Sequence, residues 1–364
     1  MVLIIKSKII SSFLCICLMA GLCPAAEAAY PAPGVSAESC AVVFQDGSCV
    51  YEKNADERRL IASTTKIMTA LLCIENCSLD EHVEVRAKHC LVEGSAMYLK
   101  ADYDYTVREL LLGLLLASGN DAALALAEHV SGSERAFVRM MNSRAKELGM
   151  SDTCFANPHG LDEAQHYSTA RDMARLMLFC MDNECFRELC GTRSASINGE
   201  YYVNHNKLLD RCYGCVAGKT GYTMAAGRCL VSCCERDGLR YVCVTLSAPD
   251  DWNDHIALYD WAYAAFSYRD LGSVAFEVPV ISGSAESVKA VPGEKLCMLV
   301  PSDKEIELRA ELPLFVFAPI NSGETAGEIC VIIEGKTVAA CPLVYDADIA
   351  LAYPCIKSTS EVSL

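Results

Sequence analysis

Three short stretches carry side chains able to make and break an acyl bond. The first is Ser63-Thr64-Thr65-Lys66. On a helix, positions i and i+3 share one face, so this serine hydroxyl and lysine amine can meet. A serine hydroxyl is a weak nucleophile until a base takes its proton. Lysine can be that base only when burial or a nearby cation depresses its pKa. The flanking Ile67, Met68, Ala70, Leu71 and Leu72 are apolar enough to bury it. The second stretch, Ser118-Gly119-Asn120, follows the apolar run 110–117 and can project a hydroxyl and a carboxamide from one turn. The third is Lys219-Thr220-Gly221, preceded by Gly218. On an untwisted strand Lys219 and Gly221 point one way and Thr220 the other. A strand glycine allows close approach of a ligand to the backbone, and Lys219 with Thr220 can hold a carboxylate.

Each stretch also has a bland reading. A second S-x-x-K, Ser143 to Lys146, lies on an amphipathic pattern crowded with Arg139, Arg144 and Glu147 and reads as a solvated face. S-x-N recurs at Ser196 and Asn198. Ser118 could be a helix cap, although Asp121 is better placed to cap the next helix. Lys219 could be an edge-strand lysine that discourages aggregation. Order and spacing argue against chance. Ser63 and Ser118 are 55 positions apart, and Asn120 and Lys219 are 99 apart.

The elements that must position these groups are legible as pattern. Residues 41–51 read as a β-hairpin turning at Asp46-Gly47. Helices are expected over 63–75, 106–116, 121–130, 133–148 (closed by Gly149), 168–181 and 254–266. The 63–75 helix is apolar on most sides and should be buried. Residues 227–234 and 241–247 read as adjacent strands joined by the polar turn 235–238. After about residue 272 the texture changes to short β-like runs over 274–281, 295–300, 306–312, 314–318 and 328–333, with no convincing helix. The fold class is therefore α+β, followed by a small all-β domain.

The remaining composition bounds the setting. The chain has 364 residues, 52% hydrophobic and 21% charged, which suits a globular protein of about two domains at ~150 residues each. A net charge of −16 repels phosphate backbones, so no nucleic-acid partner is expected. Lys6 and Lys8, the apolar run 9–23 and Pro24-Ala25-Ala26-Glu27-Ala28-Ala29 have the form of a secretory signal. Cleavage is expected after Ala28, which takes the charge to −17. Of 22 cysteines, Cys15, Cys17 and Cys23 fall in that signal, leaving 19. Their scatter suits small buried hydrophobes rather than a disulfide framework, and suggests an exported protein of an anoxic habitat. Cys212 and Cys215 form the one C-x-x-C, and no second pair stands at metal-site spacing.

The ordered set S-x-x-K, S-x-N and K-T-G resembles that of class A β-lactamases and penicillin-binding proteins. Longer stretches resemble the low-molecular-mass penicillin-binding proteins, the serine-type D-alanyl-D-alanine carboxypeptidases. They include Tyr51 to Arg58, Ile61 to Ala70, Leu115 to Ala123, Phe155 to Leu161, His166 to Ala174, Asn204 to Leu209 and Gly218 to Thr223. The likeness covers roughly 38–270. It implies a signal peptide (1–28), a β-lactamase/transpeptidase-like catalytic domain (29–271), and a C-terminal β-rich domain with tail (272–364). The implied catalytic domain is an antiparallel sheet flanked by helices, with a mainly helical subdomain.

By the same resemblance, Ser63 would attack the carbonyl between the two terminal D-alanines of a peptidoglycan stem peptide, with Lys66 as base. Ser118 would pass the proton to the leaving nitrogen, helped by Lys219, and Asn120 would position substrate and lysines. Lys219 and Thr220 would bind the substrate's terminal carboxylate, Gly221 would let the substrate approach the backbone, and the Ser63 and Tyr222 N–H groups would form the oxyanion hole. Clustered cations with no obvious acid would lower the Lys66 pKa. No cofactor or metal is implied, and β-lactams would be covalent inhibitors. The expected location is extracytoplasmic, in the cell envelope or secreted. The family's basic amphipathic C-terminal anchor is not evident, so release and retention by an uncleaved signal both stay open. Arg228 and Arg240 are weak candidates for a carboxylate-binding arginine. The competing readings are a class A-like β-lactamase, a D,D-transpeptidase and a non-catalytic wall-binding protein.

Overall fold

A computed structural model describes residues 31–101 and 103–352. The expected signal, Cys355 and the tail from 353 lie outside the described residues. In chain order the first region runs β1 (Ser39–Phe44), β2 (Cys49–Lys53), α1 (Lys66–Asn76), β3 (His82–Val83), β4 (Tyr105–Thr106), α2 (Val107–Leu116), α3 (Asn120–Ser131), α4 (Glu134–Glu147), α5 (Ala170–Met181) and α6 (Glu184–Gly191). There follow β5 (Ser194–Ile197), β6 (Glu200–Val203), α7 (Leu208–Arg211), β7 (Cys215–Thr223), β8 (Gly227–Arg236), β9 (Leu239–Leu246), α8 (Asp251–Ala265) and β10 (Phe266–Asp270).

The main sheet is antiparallel, in the order β2-β1-β9-β8-β7. Its inner strands β1, β9 and β8 are buried over most of their length, and the two-residue side-chain period divides their residues between two cores. On one face Ala41, Val43, Cys229, Val231, Val242 and Val244 pack toward the helices. On the other Cys40, Val42, Phe44, Leu230, Tyr241 and Cys243 pack with Leu258, Tyr259 and Ala262 of α8. This alternation places the cysteines. Neighbouring Cys233 and Cys234 belong to opposite cores. All 18 described cysteines are free thiols. The C-x-x-C stretch lies in the core beneath α8, with the Cys212 thiol on the Tyr213 carbonyl and the Cys215 thiol on that of Ala217.

The expected helices are present, three of them with side-chain N-caps. Thr106 and Glu109 form a reciprocal capping box at the start of α2, and the side chains of Ser133 and Thr169 cap α4 and α5. Three local readings need correction. Residues 63–75 are not one helix: Ala62–Thr65 is a 3-10 turn, and α1 begins at Lys66. Asp121 is not a cap, because α3 starts at Asn120 with Gly119 before it. Helix α6 and the β5–β6 hairpin stand where no element was anticipated.

The C-terminal region adds β11 (Phe276–Ile281), β12 (Ser287–Pro292), β13 (Cys297–Pro301), β14 (Ile306–Glu311), β15 (Val316–Phe317), β16 (Thr325–Ile333) and β17 (Lys336–Tyr345). Six of them form one sheet in the order β14-β16-β17-β12-β11-β15, while β10 pairs with β13. Strands β12 and β17 were not anticipated. Both contain proline (Pro292, Pro342), which argues against a strand on local grounds. Here the β16–β17 ladder still forms around Pro342, which stands opposite Glu328.

The loop between α4 and α5 braces the 3-10 turn. Asn157 Oδ1 accepts from the amides of His159 and Gly160, folding the loop back on itself. Thr69 of α1 donates to Pro158 O at 2.6 Å. Gly160 has φ +91°, and a β-carbon there would fall 1.9 Å from Ala62 O. Gly160→Ala therefore meets both strain and a backbone clash. It should cost more than ~2 kcal/mol in urea unfolding, whereas Gly199→Ala at the β5–β6 hairpin, with open space around it, should cost less.

Candidate active site

The three sequence motifs meet in one crevice between the edge strand β7 and the N-terminal ends of α1 and α3. Ser63, half-buried, sits in the 3-10 turn one residue after Ala62, which has φ +47°. Residues i and i+3 eclipse in a 3-10 turn, and Lys66 Nζ lies 2.9 Å from Ser63 Oγ. Lys66 is fully buried. Its amine also donates to Asn120 Oδ1 at 2.7 Å and to His159 O at 2.6 Å. A neutral amine has two hydrogens and one lone pair. Those two acceptors use the hydrogens and leave the lone pair facing the Ser63 hydroxyl.

The electrostatics favour that neutral form. Burial is the largest cause holding the Lys66 pKa well below the usual lysine value, and the Lys219 charge adds to it. Asp121 acts in the opposite direction. The expectation of a cation cluster without an acid is thus corrected: desolvation leads, like-charge repulsion is second, and one carboxylate opposes both. Asp121 could not be recognised from sequence because its bonds are to a distant loop. Its carboxylate accepts from the Met97 and Leu99 amides, at 3.0 Å each.

The same loop fixes the second motif. Asn120 Nδ2 donates to Glu93 O at 2.7 Å, and the Asn120 amide donates to Ser95 O at 2.7 Å. The carboxamide is therefore held at both ends, one on this loop and one on Lys66. Ser118 is buried, with φ +59°. A left-handed conformation at a non-glycine residue costs free energy and persists where surrounding structure imposes it.

Lys219 reaches from β7 into the crevice and donates to Ser118 Oγ at 3.1 Å and to Thr220 O at 2.8 Å. Burial brings its pKa down to about 7. Thr220 is half-buried and Tyr222 exposed. A β-carbon on Gly221 would stand 2.9 Å from the Ser63 amide nitrogen and 3.1 Å from Ile61 O. Glycine is thus what lets β7 run directly beside the Ser63 turn. All eight predicted site residues, Ser63, Lys66, Ser118, Asn120, Lys219, Thr220, Gly221 and Tyr222, lie in or on this crevice. The second copies do not: Ser143 and Lys146 are exposed on α4, and Asn198 turns the β5–β6 hairpin.

Two histidines were quoted in sequence without a role. His166 Nδ1 accepts from the Ala156 amide, so its Nε2, 2.7 Å from Thr65 Oγ1, carries the proton. Burial is the largest cause lowering its pKa to about 4 and that of His159 to about 3. Both rings are neutral props around the turn. The two candidate arginines are engaged elsewhere. Arg228 forks onto Asp251 at 2.7 and 3.1 Å, and Arg240 pairs with Asp182 and Glu235. An open depression of about 620 Å³ adjoins Ala117, beside Ser118, and is walled by residues 201–205 and Lys207.

Comparison with known proteins agrees with this geometry. The family described as D-alanyl-D-alanine carboxypeptidase (peptidase S11) matches residues 26–250, and the penicillin-binding protein 5 C-terminal domain matches 266–350. The D-alanyl-D-alanine carboxypeptidase DacF of Bacillus subtilis is 31% identical over 87% of this chain and 86% of its own length. DacC of Escherichia coli is 30% identical over 88% and 86%. Among solved structures, penicillin-binding protein 5 of Haemophilus influenzae is 28% identical, covers 87% of this chain and 98% of its own, and gives a TM-score of 0.73. With sequence, fold and C-terminal domain all pointing the same way, this chain belongs to the D-alanyl-D-alanine carboxypeptidase family of serine peptidases, the low-molecular-mass penicillin-binding proteins.

Proposed function

We propose that this protein removes the terminal D-alanine from peptidoglycan stem peptides through an acyl-enzyme on Ser63, and that penicillin acylates the same hydroxyl. The observation that carries this reading is the buried Lys66 amine, 2.9 Å from Ser63 Oγ with its other two acceptors satisfied. Lys66 takes the hydroxyl proton as Ser63 attacks the carbonyl between the two D-alanines. The developing oxyanion is received by the Ser63 and Tyr222 amides; losing one such donor costs about 10²-fold or more in rate. Ser118, bonded to Lys219, returns a proton to the leaving amine. Lys219 and Thr220 hold the substrate's terminal carboxylate, and Gly221 keeps β7 close enough for the peptide to lie along it. Asn120 orients Lys66 and the bound peptide. Water then releases the shortened peptide, and the chemistry needs no metal or cofactor.

The substrate lies outside the cytoplasm, in keeping with the N-terminal export pattern of residues 1–28. No helix among the described residues is long and apolar enough to cross a membrane. A transpeptidase reading has one observation behind it. The Streptomyces K15 DD-transpeptidase is 30% identical with a TM-score of 0.62, but it covers only 64% of this chain. DacF and DacC, both carboxypeptidases, span both regions. Product analysis with an added amine acceptor separates the two.

Mass spectrometry after incubation with penicillin should find one stoichiometric adduct, on the peptide containing Ser63, and none in Ser63→Ala. An adduct on Ser143 would overturn the assignment. Lys66→Ala should fold yet acylate about 10²–10⁴-fold more slowly, the usual worth of a positioned base. The pH profile carries a sign. Lys66 must be neutral to act, so kcat/KM should rise as pH climbs through its depressed pKa. Lys219 must be charged to bind carboxylate, so kcat/KM should fall near its free-enzyme value of about 7. In Lys219→Arg the falling limb should disappear, because arginine does not deprotonate in this range. A falling limb unchanged in that variant would remove Lys219 from the role.

A further inference from the structure

Helices α1 and α3 each bring one site residue to the crevice at their first position, Lys66 and Asn120. Their opposite ends meet a third segment, the turn 78–81 that leads into β3. There the Cys77 thiol, a Glu81 carboxylate oxygen and a His129 ring nitrogen all lie within 4.8 Å of one another. Cys77 is the residue that closes α1, its amide donating to Cys73 O at 3.0 Å. His129 stands in the last turn of α3. The carboxylate is held in place: Glu81 Oε1 accepts from the Ser78 amide at 2.5 Å, and Oε2 lies 3.2 Å from His129 Nε2. Among the described residues neither the Cys77 thiol nor His129 Nδ1 has a hydrogen-bond partner.

An ion pair between Glu81 and His129 would account for two of these groups. It does not call for a thiol beside them. Thiolate, imidazole and carboxylate together are the donor set of Zn²⁺ and of Co²⁺ in its place. All three groups are at least partly accessible, so the ion has an entry path.

We propose that Cys77, Glu81 and His129 form a binding site for a Zn²⁺-class divalent cation that ties the far ends of α1 and α3 together. Binding forms one metal–sulfur, one metal–nitrogen and one metal–oxygen bond, releases the Cys77 proton to solvent and involves no change of oxidation state. The role is structural. Lys66 and Asn120 share a hydrogen bond at one end of these helices, and the cation fixes their spacing at the other. Affinity should fall as pH drops, because protons compete for the thiolate and the imidazole.

The test is titration of the reduced, metal-free protein with Co²⁺ and Zn²⁺. Wild type should bind one equivalent of Co²⁺ with a thiolate-to-metal absorption band that Zn²⁺ abolishes. Zn²⁺ should also raise the thermal midpoint. Cys77→Ser should lose both the band and the thermal shift, and His129→Gln should bind at least about tenfold more weakly, as expected for a lost ligand. Cys212→Ser, a thiol beneath α8, should keep both. Cooperative thermal unfolding without metal reports that each variant is folded. An unchanged band in Cys77→Ser, or no stoichiometric binding by wild type, overturns the site and leaves an ordinary ion pair. Penicillin acylation is not used as a readout, so the result stands apart from the assignment of Ser63.

Discussion

The structure turns on holding down the pKa of a lysine amine beside a serine. A lysine in water is protonated and useless as a base, and burying its charge is costly. This chain resolves the conflict by removing water from Lys66 while giving its two hydrogens the acceptors Asn120 Oδ1 and His159 O. Several nearby features serve that arrangement, against the opposing Asp121 carboxylate. The 3-10 turn brings Ser63 over the amine, the loop after α4 delivers the His159 carbonyl, and the loop 93–99 clamps the Asn120 carboxamide. Neutral His159 and His166 add no further charge to be desolvated.

Three distant pieces of chain must therefore register to within hydrogen-bond distance. A nucleophile on a flexible segment would not hold that geometry, and rigid element ends supply it. The positive φ angles fall at Ala62, next to the Ser63 that meets Lys66, and at Ser118, which meets Lys219. Glycine is used where backbones must nearly touch, at Gly160 against the Ala62 carbonyl and Gly221 against the Ser63 amide. The left-handed residues strain the backbone locally, and the well-packed helical core and five-stranded sheet around them offset that cost.

The cysteines fit the same economy of packing. A sheet buried on both faces needs small apolar side chains in both cores, and free cysteine is among the most readily buried residues. Cys233 and Cys234 satisfy opposite cores from adjacent positions. Most of these buried thiols are pushed above the usual pKa by desolvation, which leaves them poorly reactive. Cys77 lies at a helix end, half-exposed, facing a carboxylate and an imidazole.

Much of this protein was legible from local pattern alone. Amphipathic spacing and cap residues such as Thr106 with Glu109 mark helices because they satisfy the helix's own orphan amides, a local requirement. The motif residues were recognisable because their chemistry demands those side chains in that order. What sequence could not show were interactions made across long separations. The break between the Ser63 turn and α1, the Asp121 carboxylate on the Met97 and Leu99 amides, and the β12 and β17 strands with their prolines all depend on neighbours far along the chain. Residue identity determines which groups can react. Only folding decides how much water they lose and which charges they face, and here that difference sets a buried amine of depressed pKa beside the Ser63 hydroxyl.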